Sequence, residues 1–530
     1  MRHDILLVAT LAATANAFQL PFSIPKLFAS KLILPTPEQE VVGPTTPRIA
    51  IIGAGAGGSS AAFWISKAKE RFGVDVEVDV YDSKDYIGGR STTVYPYDDT
   101  TLPELELGAS IFVEANKNLW RASDEFNLTR RNFRDEDYET GIWDGEQLIL
   151  SYAGGWWDTA KMLWRYGYIS PKRTETFVRG MIKDILTLYS RATPKWDNLS
   201  DLSNLLGWAE ITNTTTEAYL AKQGVSAKYI NEIVEAATRV NYGQNVDFIH
   251  ALEGGCSLAG TGASAIAGGN FQIFENFLNR SGANVYLNTP VSSILPSTQP
   301  QQWSVKSTRG SIDYKAVIIA APFHSTDITV PMSVSDQIPD VPYVHLHVTL
   351  LSTTSPYPNP AYFGLPPSSL VPRMMLTSNQ GARQGRKAPE FNSLSYHGAI
   401  RENEWAVKIF SSTELSDEWL ANMFHGQVGW VHRKEPLIHC IQWDAYPKLP
   451  PTSTFPPVKL DRGLYYVNSF EPFISTMETE TVSSRNIVDL MLNDEFNASI
   501  CGRSIPPPED NESDSEPPTH KDDFVYGWDC

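Results

Sequence analysis

The stretch RIAIIGAGAGGSSAAF at residues 48–63 constrains the fold more than any other part of this sequence. A short apolar run ends in Gly53, Gly55 and Gly58, spaced as G-x-G-x-x-G, and a helix-like run follows at 59–72. In a nucleotide-binding βαβ unit the first glycine makes the tight turn, the second admits a pyrophosphate, and the third brings helix and strand together. The alternative is a glycine turn that binds nothing.

A second strand is predicted in VDVEVDVYD at residues 74–82, where Val76, Val78 and Val80 alternate with acidic residues. Asp82 ends this strand, where a carboxylate can accept hydrogen bonds from ribose hydroxyls. Strand, glycine turn, helix and second strand form the opening of a βαβ unit. We therefore predict an α/β fold with a Rossmann-type domain.

The glycine spacing is shared by proteins that bind FAD and proteins that bind NAD, so the cofactor must be inferred from other residues. DYIGGRSTT follows at residues 85–93; Gly89, with its neighbour Gly88, lets the chain pass close to a ligand, and Arg90 offers a forked cation for phosphate. This segment resembles the GGR segment of the flavin-dependent amine oxidase superfamily. The resemblance implies FAD.

Two later segments carry the same resemblance. TPVSSI at 289–294 is similar to the superfamily strand whose valine, here Val291, holds the adenine through its backbone. AAP at 320–322 resembles the point where the chain leaves the FAD domain.

YYVNSFEPFISTMETETVSSRN at 465–486 resembles the final FAD segment of the superfamily, a strand followed by a helix N-terminus. Glu471 stands where many flavoproteins have aspartate, and Met477 and Glu478 are the other residues expected to contact FAD here. The segment contains no cysteine that could tether a flavin, so we expect FAD to bind noncovalently.

Residues 239–278 narrow the resemblance to one family. Their elements RVNYGQ, SLAG and GGN resemble prenylcysteine oxidases, also called prenylcysteine lyases, and residues 106–112 and 468–482 are similar to that family too. The resemblance implies an FAD-dependent thioether oxidase. Such an enzyme cleaves farnesyl- or geranylgeranyl-cysteine with oxygen and water to cysteine, a prenyl aldehyde and hydrogen peroxide, by hydride transfer to flavin.

Several polar residues are candidates for the substrate pocket. Asn241, Tyr242 and Gln244 could orient the amino and carboxyl ends of a cysteine, or could simply cap a loop between helices. Gly268 and Gly269, followed by Asn270, are expected to mark a close backbone approach to the flavin; a plain turn is the alternative.

Tyr343, His345 and His347 alternate, so we predict that they share one face of a strand and line the cavity. Hydrogen-bonded strand histidines are the alternative. No third ligand at suitable spacing accompanies them, so no metal site is predicted. Cys256 could be a pocket thiol or a buried small residue.

The N-terminus predicts secretion. Arg2 and His3 precede the apolar run 5–13, and ANA at 15–17 offers a cleavage site, which is typical of a signal peptide; a buried N-terminal helix is the alternative. N-glycans are expected at six Asn-x-Ser/Thr sites, and the expected location is the lysosome, a vacuole or the extracellular space. The sites are Asn127, Asn198, Asn213, Asn279, Asn497 and Asn511.

Four cysteines allow three complete pairings, and no CxxC motif is present. In an oxidising compartment a disulfide between Cys501 and Cys530 could staple the tail; buried free thiols are the alternative.

The net charge of −18 argues against nucleic acid or an anionic membrane as a partner. No apolar run reaches the length of about 18 residues that a transmembrane helix needs. The expected partners are an apolar small molecule and oxygen.

The predicted organisation is an FAD-binding domain that is discontinuous in sequence, with a mixed α+β substrate domain. Its segments are a signal peptide (1–17), a linker (18–47), FAD-binding parts (48–115, 241–330 and 461–495), a helical first substrate part (116–240), a second substrate part (331–460) and an acidic proline-rich tail (496–530). Two other functions stay open: a secreted amine oxidase on the same fold, and a catalytically idle flavin- or lipid-binding protein.

Overall fold

The computed structural model describes residues 46–132, 139–260, 262–434, 444–502 and 524–530. The predicted signal peptide, nearly all of the predicted linker and the acidic stretch at 503–523 lie outside these ranges. Cys440 and Asn511 also lie outside them. What was predicted for these segments stays a prediction.

The described residues form short strands throughout the chain. In chain order they are β1 (Arg48–Ile52), β2 (Glu77–Tyr81), β3 (Thr93–Val94), β4 (Leu105–Glu106), β5 (Arg130–Asn132), β6 (Thr140–Trp143), β7 (Leu148–Tyr152), β8 (Ser264–Ile266), β9 (Asn284–Tyr286), β10 (Val291–Pro296), β11 (Trp303–Ser307), β12 (Gly310–Tyr314), β13 (Ala316–Ile319), β14 (Tyr343–His345), β15 (His347–Thr353), β16 (Met374–Thr377), β17 (Ser393–Arg401), β18 (Glu404–Ser411), β19 (Val428–Lys434), β20 (Asp444–Pro447), β21 (Lys459–Asp461) and β22 (Leu464–Tyr466).

The helices follow the same order. They are α1 (Ala56–Phe72), α2 (Lys117–Glu125), α3 (Trp156–Tyr166), α4 (Ile169–Leu186), α5 (Leu199–Leu205), α6 (Ala209–Thr212), α7 (Thr216–Lys222), α8 (Ala227–Tyr229), α9 (Glu235–Tyr242), α10 (Ala251–Ser257), α11 (Phe271–Ser281), α12 (Met332–Ser335), α13 (Gln380–Arg383), α14 (Asp417–Met423) and α15 (Met477–Phe496).

A six-stranded sheet in the order β21-β22-β13-β1-β2-β9 forms the centre of the first domain. All of its pairs are parallel except the edge pair β21–β22. Ile52 lies opposite Tyr81 on β2 and Ile319 on β13, so the carboxyl ends of three strands meet at one edge. Ligands bind at this edge in open parallel sheets.

Both faces of this sheet are covered, which explains why its strands are apolar almost throughout. On one face, Ile49 and Ile51 pack in a core that includes residues of α1, α11 and α15. On the other face, Ala50 and Ile52 pack with residues of the three-stranded antiparallel sheet β10-β11-β12. The predicted α/β fold with a Rossmann-type domain is confirmed.

A second sheet has seven strands in the order β19-β15-β18-β17-β16-β6-β7. Its pairs are antiparallel except β16–β6, which is parallel. The strands β6 and β7 lie in the segment 116–240, which was predicted to be helical, so that prediction was too broad. β6 pairs with β16, which is more than 200 residues away in the sequence, and local periodicity carries no information about such a distant partner.

The C-terminal end of the chain returns to the first domain. Cys501 and Cys530 form a disulfide, which was one of the two alternatives for these cysteines. Trp528 packs against Phe63 and Trp64 of α1, at ring-centroid distances of 5.0 and 5.5 Å. The two described ends of the predicted tail are therefore part of the folded core and not a separate appendage.

No helix in the described part of the chain is both long and apolar enough to cross a bilayer.

Candidate cofactor and substrate site

The glycine cradle consists of Gly53, Gly55, Gly58, Gly88 and Gly89. A Cβ atom on Gly58 would lie 1.8 Å from the carbonyl oxygen of Gly53, and one on Gly53 would lie 2.4 Å from the carbonyl oxygen of Ala320. The turn, the helix and the end of β13 can approach this closely only without side chains. Close packing of helix and strand is the role predicted for the third glycine, and the φ angle of +112° at Gly53 agrees with the tight turn predicted for the first.

Gly55 is less crowded than Gly53 and Gly58, the other two glycines of the fingerprint. A Cβ atom there would meet other atoms only at 3.7 Å or more, so the protein itself would tolerate alanine. Gly55 precedes α1, whose start has no side-chain cap among the described residues and no acidic residue in its first turn. The first N–H groups of α1 therefore remain available to an anion such as a pyrophosphate.

Gly88 and Gly89 have φ angles of +120° and +60°, a region that favours glycine. Gly88 forms a bridge with Gly55, so the GGR segment closes over the start of α1. Asp82 accepts hydrogen bonds from the backbone N–H groups of Ala54 (2.7 Å) and Lys84 (2.8 Å). Burial raises the pKa of Asp82, and the two N–H donors oppose that rise. Asp82 thus braces the glycine turn, and its contact with a ribose stays a prediction.

Val291 begins β10 beside Asp82. The backbone N–H of Thr289, two residues earlier, donates to the carbonyl of Asp82 at 2.8 Å. The structure therefore brings the predicted adenine and ribose contacts to the same end of the sheet.

A carboxylate cluster of Arg90, Tyr343, Glu471 and Glu480 lies next to the cradle. Arg90 and the hydroxyl of Tyr343 both donate to the buried carboxylate of Glu471. Arg90 was predicted to contact phosphate; here it connects the GGR segment to the final segment. Burial and the charge of Glu471 raise the pKa of Tyr343, so its hydroxyl remains protonated.

Glu480 was not singled out from the sequence. Its side chain is buried beside Gly57, and its Oε1 has no hydrogen-bond partner among the described residues. Burial and the charge of Glu471 raise its pKa well above the usual range. The signal available in the sequence was the pair of acids, Glu478 and Glu480, in the first turn of the last helix.

Glu478, which was predicted to contact the cofactor, faces the N-terminus of α2 and not the cradle. It accepts hydrogen bonds from the backbone N–H groups of Asn118 (2.8 Å) and Leu119 (2.9 Å) and from the hydroxyl of Tyr189 (2.6 Å). It therefore caps the N-terminus of α2. Residues two apart on a helix lie about 200° apart around its axis, so only one of the two acids can face the cradle. Met477 packs at the edge of the main core.

Unsatisfied polar atoms surround the cradle and test whether a dinucleotide fits there. Ser91 Oγ, Asn468 Oδ1, Ser469 Oγ and Glu480 Oε1 are all buried without a hydrogen-bond partner in the described residues. Buried polar atoms are nearly always paired in folded proteins; other unpaired atoms lie elsewhere in the described residues, but these four lie on the segments around the cradle and lack a partner there. The hydroxyl and phosphate groups of a bound dinucleotide would supply one.

A small cavity, partly open to solvent, adjoins the carboxylate cluster. Glu471 and Tyr343 line its polar side. The apolar lining includes Phe323, Ile338, Pro339, Val341 and Pro447. This arrangement suits a mainly apolar ligand with a polar end.

The predicted face of Tyr343, His345 and His347 does not form. Tyr343 and His345 belong to β14, which pairs with β20, whereas His347 begins β15 in the seven-stranded sheet. The chain changes sheets at Leu346, so period-two alternation does not continue across it. Only Tyr343 lines the cavity.

The candidates of the VNYGQ stretch are mostly engaged with the protein. Gln244 donates to the carbonyl of Pro447 (3.0 Å) and accepts from the N–H of Leu449 (2.9 Å). Asn241 donates to the carbonyl of Ser257 at 3.0 Å. Both side chains therefore hold loops in position, which agrees with the alternative interpretation of this stretch.

Tyr242 belongs to a buried group on and around α10, the α10 cluster, with His250, Glu253 and Cys256. His250 Nδ1 accepts from the N–H of Glu253 at 3.2 Å and caps α10; burial lowers its pKa to about 4. Burial raises the pKa of Glu253 to about 8, although the N–H of Ser475 donates to it. Glu253 is fully buried and was not singled out from the sequence.

Asn270 and its two preceding glycines fold against the strand β4. Asn270 donates its backbone N–H to Glu106 (2.7 Å) and its side-chain amide to the carbonyl of Ala109 (2.9 Å). Lys408, which no sequence pattern indicated, donates to the carbonyl of Glu106 (2.7 Å) and to Ser110 (2.9 Å). Burial lowers the pKa of Lys408 and raises that of the Glu106 carboxyl. The GGN element thus packs against residues 106–110, the segment beside the cradle.

In the described ranges, no three His, Cys, Asp or Glu side chains form a metal-binding group.

The fold and the cradle define an α/β protein with a Rossmann-like dinucleotide-binding domain. Solved structures support this class: the chain matches putrescine oxidase bound to putrescine, and a double mutant of that enzyme, each with a TM-score of 0.57 and 14% identity. Each match covers 84% of this chain and 99% or more of the other. A sequence model of an NAD(P)-binding Rossmann-like domain matches residues 51–126.

The model of the family described as prenylcysteine lyase matches residues 152–500. The chain is 30% identical to farnesylcysteine lyase of Arabidopsis thaliana, over 89% of this chain and 94% of that protein. It is 26% identical to prenylcysteine oxidase 1 of Homo sapiens, over 83% and 87%. The chain belongs to the prenylcysteine lyase family, as the resemblance of residues 239–278 predicted.

Proposed function

We propose that this protein is an FAD-dependent oxidase that cleaves the thioether of farnesyl- or geranylgeranyl-cysteine. The observation that carries the proposal is the alignment, over most of the chain, with relatives named farnesylcysteine lyase and prenylcysteine oxidase. The likeness to putrescine oxidase supports only the fold, because the sequences are 14% identical.

The overall reaction combines one thioether with one water and one oxygen. The carbon–sulfur bond breaks, the carbon is oxidised to the aldehyde, cysteine leaves as the thiol, and oxygen is reduced to hydrogen peroxide. When bound, FAD would accept a hydride from the carbon next to sulfur and pass the electrons to oxygen. The protein supplies binding, orientation and exclusion of water.

The residues around the site divide these tasks. The glycine cradle and the first turn of α1 hold the pyrophosphate, with Asp82 and Val291 at the nucleoside end. Ser91, Asn468, Ser469 and Glu480 are the buried polar groups that FAD would satisfy.

The adjoining cavity receives the substrate. Its apolar wall takes the prenyl chain, and Glu471 and Tyr343 on its polar side face the amino-acid end of the substrate. The pKa of Glu253 is about 8, so this buried side chain is mainly protonated at neutral pH and adds no charge to the interior. A dry interior favours hydride transfer over side reactions with water.

We also propose that FAD is bound noncovalently. The final segment contains no cysteine, and the described cysteines other than Cys256 form the disulfide. Acid precipitation of the yellow protein is expected to leave FAD in the supernatant; flavin that stays with the pellet would contradict this.

The proposed compartment is the secretory pathway, with a lysosome, a vacuole or the extracellular space as the destination and N-glycans on the surface. The disulfide supports an oxidising environment. The five described sequon asparagines are all exposed: Asn127, Asn198, Asn213, Asn279 and Asn497. A mobility shift after glycosidase treatment of protein expressed in eukaryotic cells would test the glycans, with Asn→Gln variants as controls.

The central experiment mixes the purified protein anaerobically with farnesylcysteine and follows flavin absorbance, then admits oxygen and measures peroxide and aldehyde. Bleaching by farnesylcysteine and not by putrescine is expected. Bleaching by putrescine alone would instead support an amine oxidase. A flavin that neither compound reduces would support an idle binding protein, and a protein without FAD would exclude the oxidase.

A further inference from the structure

Helix α3 turns its apolar side away from the protein. Trp156, Ala160, Leu163 and Trp164 follow helical spacing i, i+4, i+7 and i+8, and Trp157 adjoins them; these five residues are the α3 stripe. Trp164 is 89% exposed, and Trp156 and Trp157 are 68% and 65% exposed. An amphipathic surface helix normally buries such a stripe against the core.

The opposite face fixes this orientation. Arg165 donates to both carboxylate oxygens of Glu232 at 2.8 and 2.9 Å, and the hydroxyl of Tyr166 donates to the same group at 2.7 Å. Tyr166 is buried in a small apolar core, with Met162 packed beside it. The ion pair of Arg165 and the packing of Tyr166 and Met162 therefore hold this side of the helix against the protein. The tryptophans cannot rotate inward without breaking that ion pair.

The exposed surface is large and aromatic. Trp156 and Trp157 stack at 3.8 Å, and three tryptophans at this exposure present on the order of 500 Å² of mainly apolar area. Tyr168 and Ile169, both exposed, continue the surface beyond Gly167. Tryptophan and tyrosine are the residues that prefer the boundary between lipid chains and water.

The charge around the stripe is opposite to that of the whole chain. Residues 156–186 contain six cations against three acids, within a protein whose net charge is −18. The exposed cations of this region are Lys161, Lys172, Arg173, Arg179 and Lys183. Lys161 pairs with Asp158, and Lys172 and Arg179 share Glu175, so the two helices keep a net positive charge at their surface. A net positive surface together with exposed tryptophan and leucine is the pattern of helices that lie in the surface of an anionic membrane.

We propose that the α3 stripe docks the protein onto the surface of an anionic lipid membrane, without spanning it. The net charge of the whole chain predicts that an anionic membrane is an unsuitable partner, and the proposal opposes the local charge of this face to that expectation. α4, which follows α3, packs on α10 through Phe177 and Met181, which lie against Gly255. The docking face is thus one helix away from α10.

The test uses purified full-length protein with its cofactor, without substrate, and two kinds of vesicle: phosphatidylcholine alone, and phosphatidylcholine with about 30 mol% phosphatidylserine. Wild-type protein is expected to cosediment with the anionic vesicles. The variant Trp156→Ser/Trp157→Ser/Trp164→Ser is expected to bind at least about tenfold more weakly. The variant Met332→Ser/Leu370→Ser, which removes exposed apolar side chains elsewhere, is expected to bind as wild type.

A second variant, Lys172→Gln/Lys183→Gln, separates charge from apolar contact. It is expected to weaken binding to anionic vesicles and to leave any residual binding to neutral vesicles unchanged. Flavin content and melting temperature check that each variant is folded. Because no substrate is present, the result is independent of the proposed reaction, which flavin bleaching tests separately.

Three outcomes would overturn the proposal. The first is vesicle binding by the triple tryptophan variant that equals that of wild type, or no binding by wild type. The second is a wild-type dimer that the triple variant converts to a monomer, which would make the stripe an interface between copies. The third is vesicle binding by a variant that lacks residues 18–45 but not by the full-length protein, which would make that segment the cover of the stripe.

Discussion

Backbone contacts hold the glycine cradle together, whereas charged side chains from distant segments hold the carboxylate cluster beside it. In the cradle, Gly58 approaches a carbonyl only five residues earlier in the chain. In the cluster, Arg90 reaches Glu471 across 381 residues and Tyr343 reaches it across 128. The cradle is therefore sensitive to added volume, and the cluster is sensitive to lost charge.

The largest effect is expected from Gly58→Ala, which would break the cradle side of this comparison. The new Cβ atom would overlap the carbonyl oxygen of Gly53 at 1.8 Å, so the strand and the helix must separate. We expect a loss of more than about 3 kcal/mol in the free energy of unfolding, together with the loss of bound flavin. Thermal unfolding and flavin absorbance measure both.

Two alanine variants serve as controls for that prediction. Gly55→Ala has room for its Cβ atom, so it should fold normally and lose affinity for FAD alone. Gly180→Ala lies in α4 with no atom within 4 Å, and should be neutral or stabilising by about 0.5 to 1 kcal/mol. Equal effects of Gly58→Ala and Gly180→Ala would refute the steric account of the cradle.

Glu471→Gln tests the cluster side. It removes the counter-charge of Arg90 and an acceptor of Tyr343, and we expect a loss of about 2 kcal/mol, reduced from the value for a fully buried pair because the Arg90 side chain is 30% exposed. Tyr343→Phe should lose about 1 kcal/mol because the ion pair remains. Chemical denaturation gives both numbers; a double variant whose effects simply add would show that the three groups do not act together.

The two acids of α15 allow a matched test within one helical turn. Glu478→Gln weakens the cap of α2 and should lower stability by about 1 kcal/mol while FAD affinity stays unchanged. Glu480→Gln changes a carboxyl whose Oε1 has no hydrogen-bond partner in the described part of the chain, so it should leave stability unchanged and alter FAD affinity. FAD titration of the stripped protein and thermal unfolding distinguish them, and the opposite assignment would reverse the roles proposed for these residues.

The last prediction concerns a slope of stability against pH, which arises from Glu253, and not a loss at one pH. Its pKa of about 8 in the folded protein is above the value of about 4.5 in the unfolded chain, so the folded state binds more protons between these values. Stability from this group is complete below about pH 4.5 and declines as pH rises toward 8, by at most about 1.4 kcal/mol per pH unit. Glu253→Gln should remove this slope between pH 5 and 8; an unchanged slope would show that another group causes it.

The residues of the site that depend on local contacts could be predicted from the sequence, and those that depend on distant contacts could not. The three glycines of the fingerprint, the strand before them and the helix after them follow from local sequence, and the fold class inferred from them is confirmed. The choice of Glu478 over Glu480 shows the limit, because the sequence says that both acids begin a helix but not which side of that helix faces the cradle. The hydrogen bonds of Glu478 to α2 come from residues about 360 positions away.

The face predicted for Tyr343, His345 and His347 shows a second limit. Alternation predicts a shared face only while one strand continues, and this chain changes sheets at Leu346. Glu253 and Lys408 illustrate a third, since burial makes them unusual and burial depends on which helices and strands cover them.

The sequence by itself determined the nucleotide-binding βαβ unit and the family, because steric limits at glycines and short motifs are properties of neighbouring residues. Only the tertiary structure decided which acid faces the cradle, which aromatic residue reaches the cavity, and that α3 presents its tryptophans outward. Those facts depend on contacts between residues far apart in the chain, and on ion pairs such as Arg165–Glu232 that select one face of a helix.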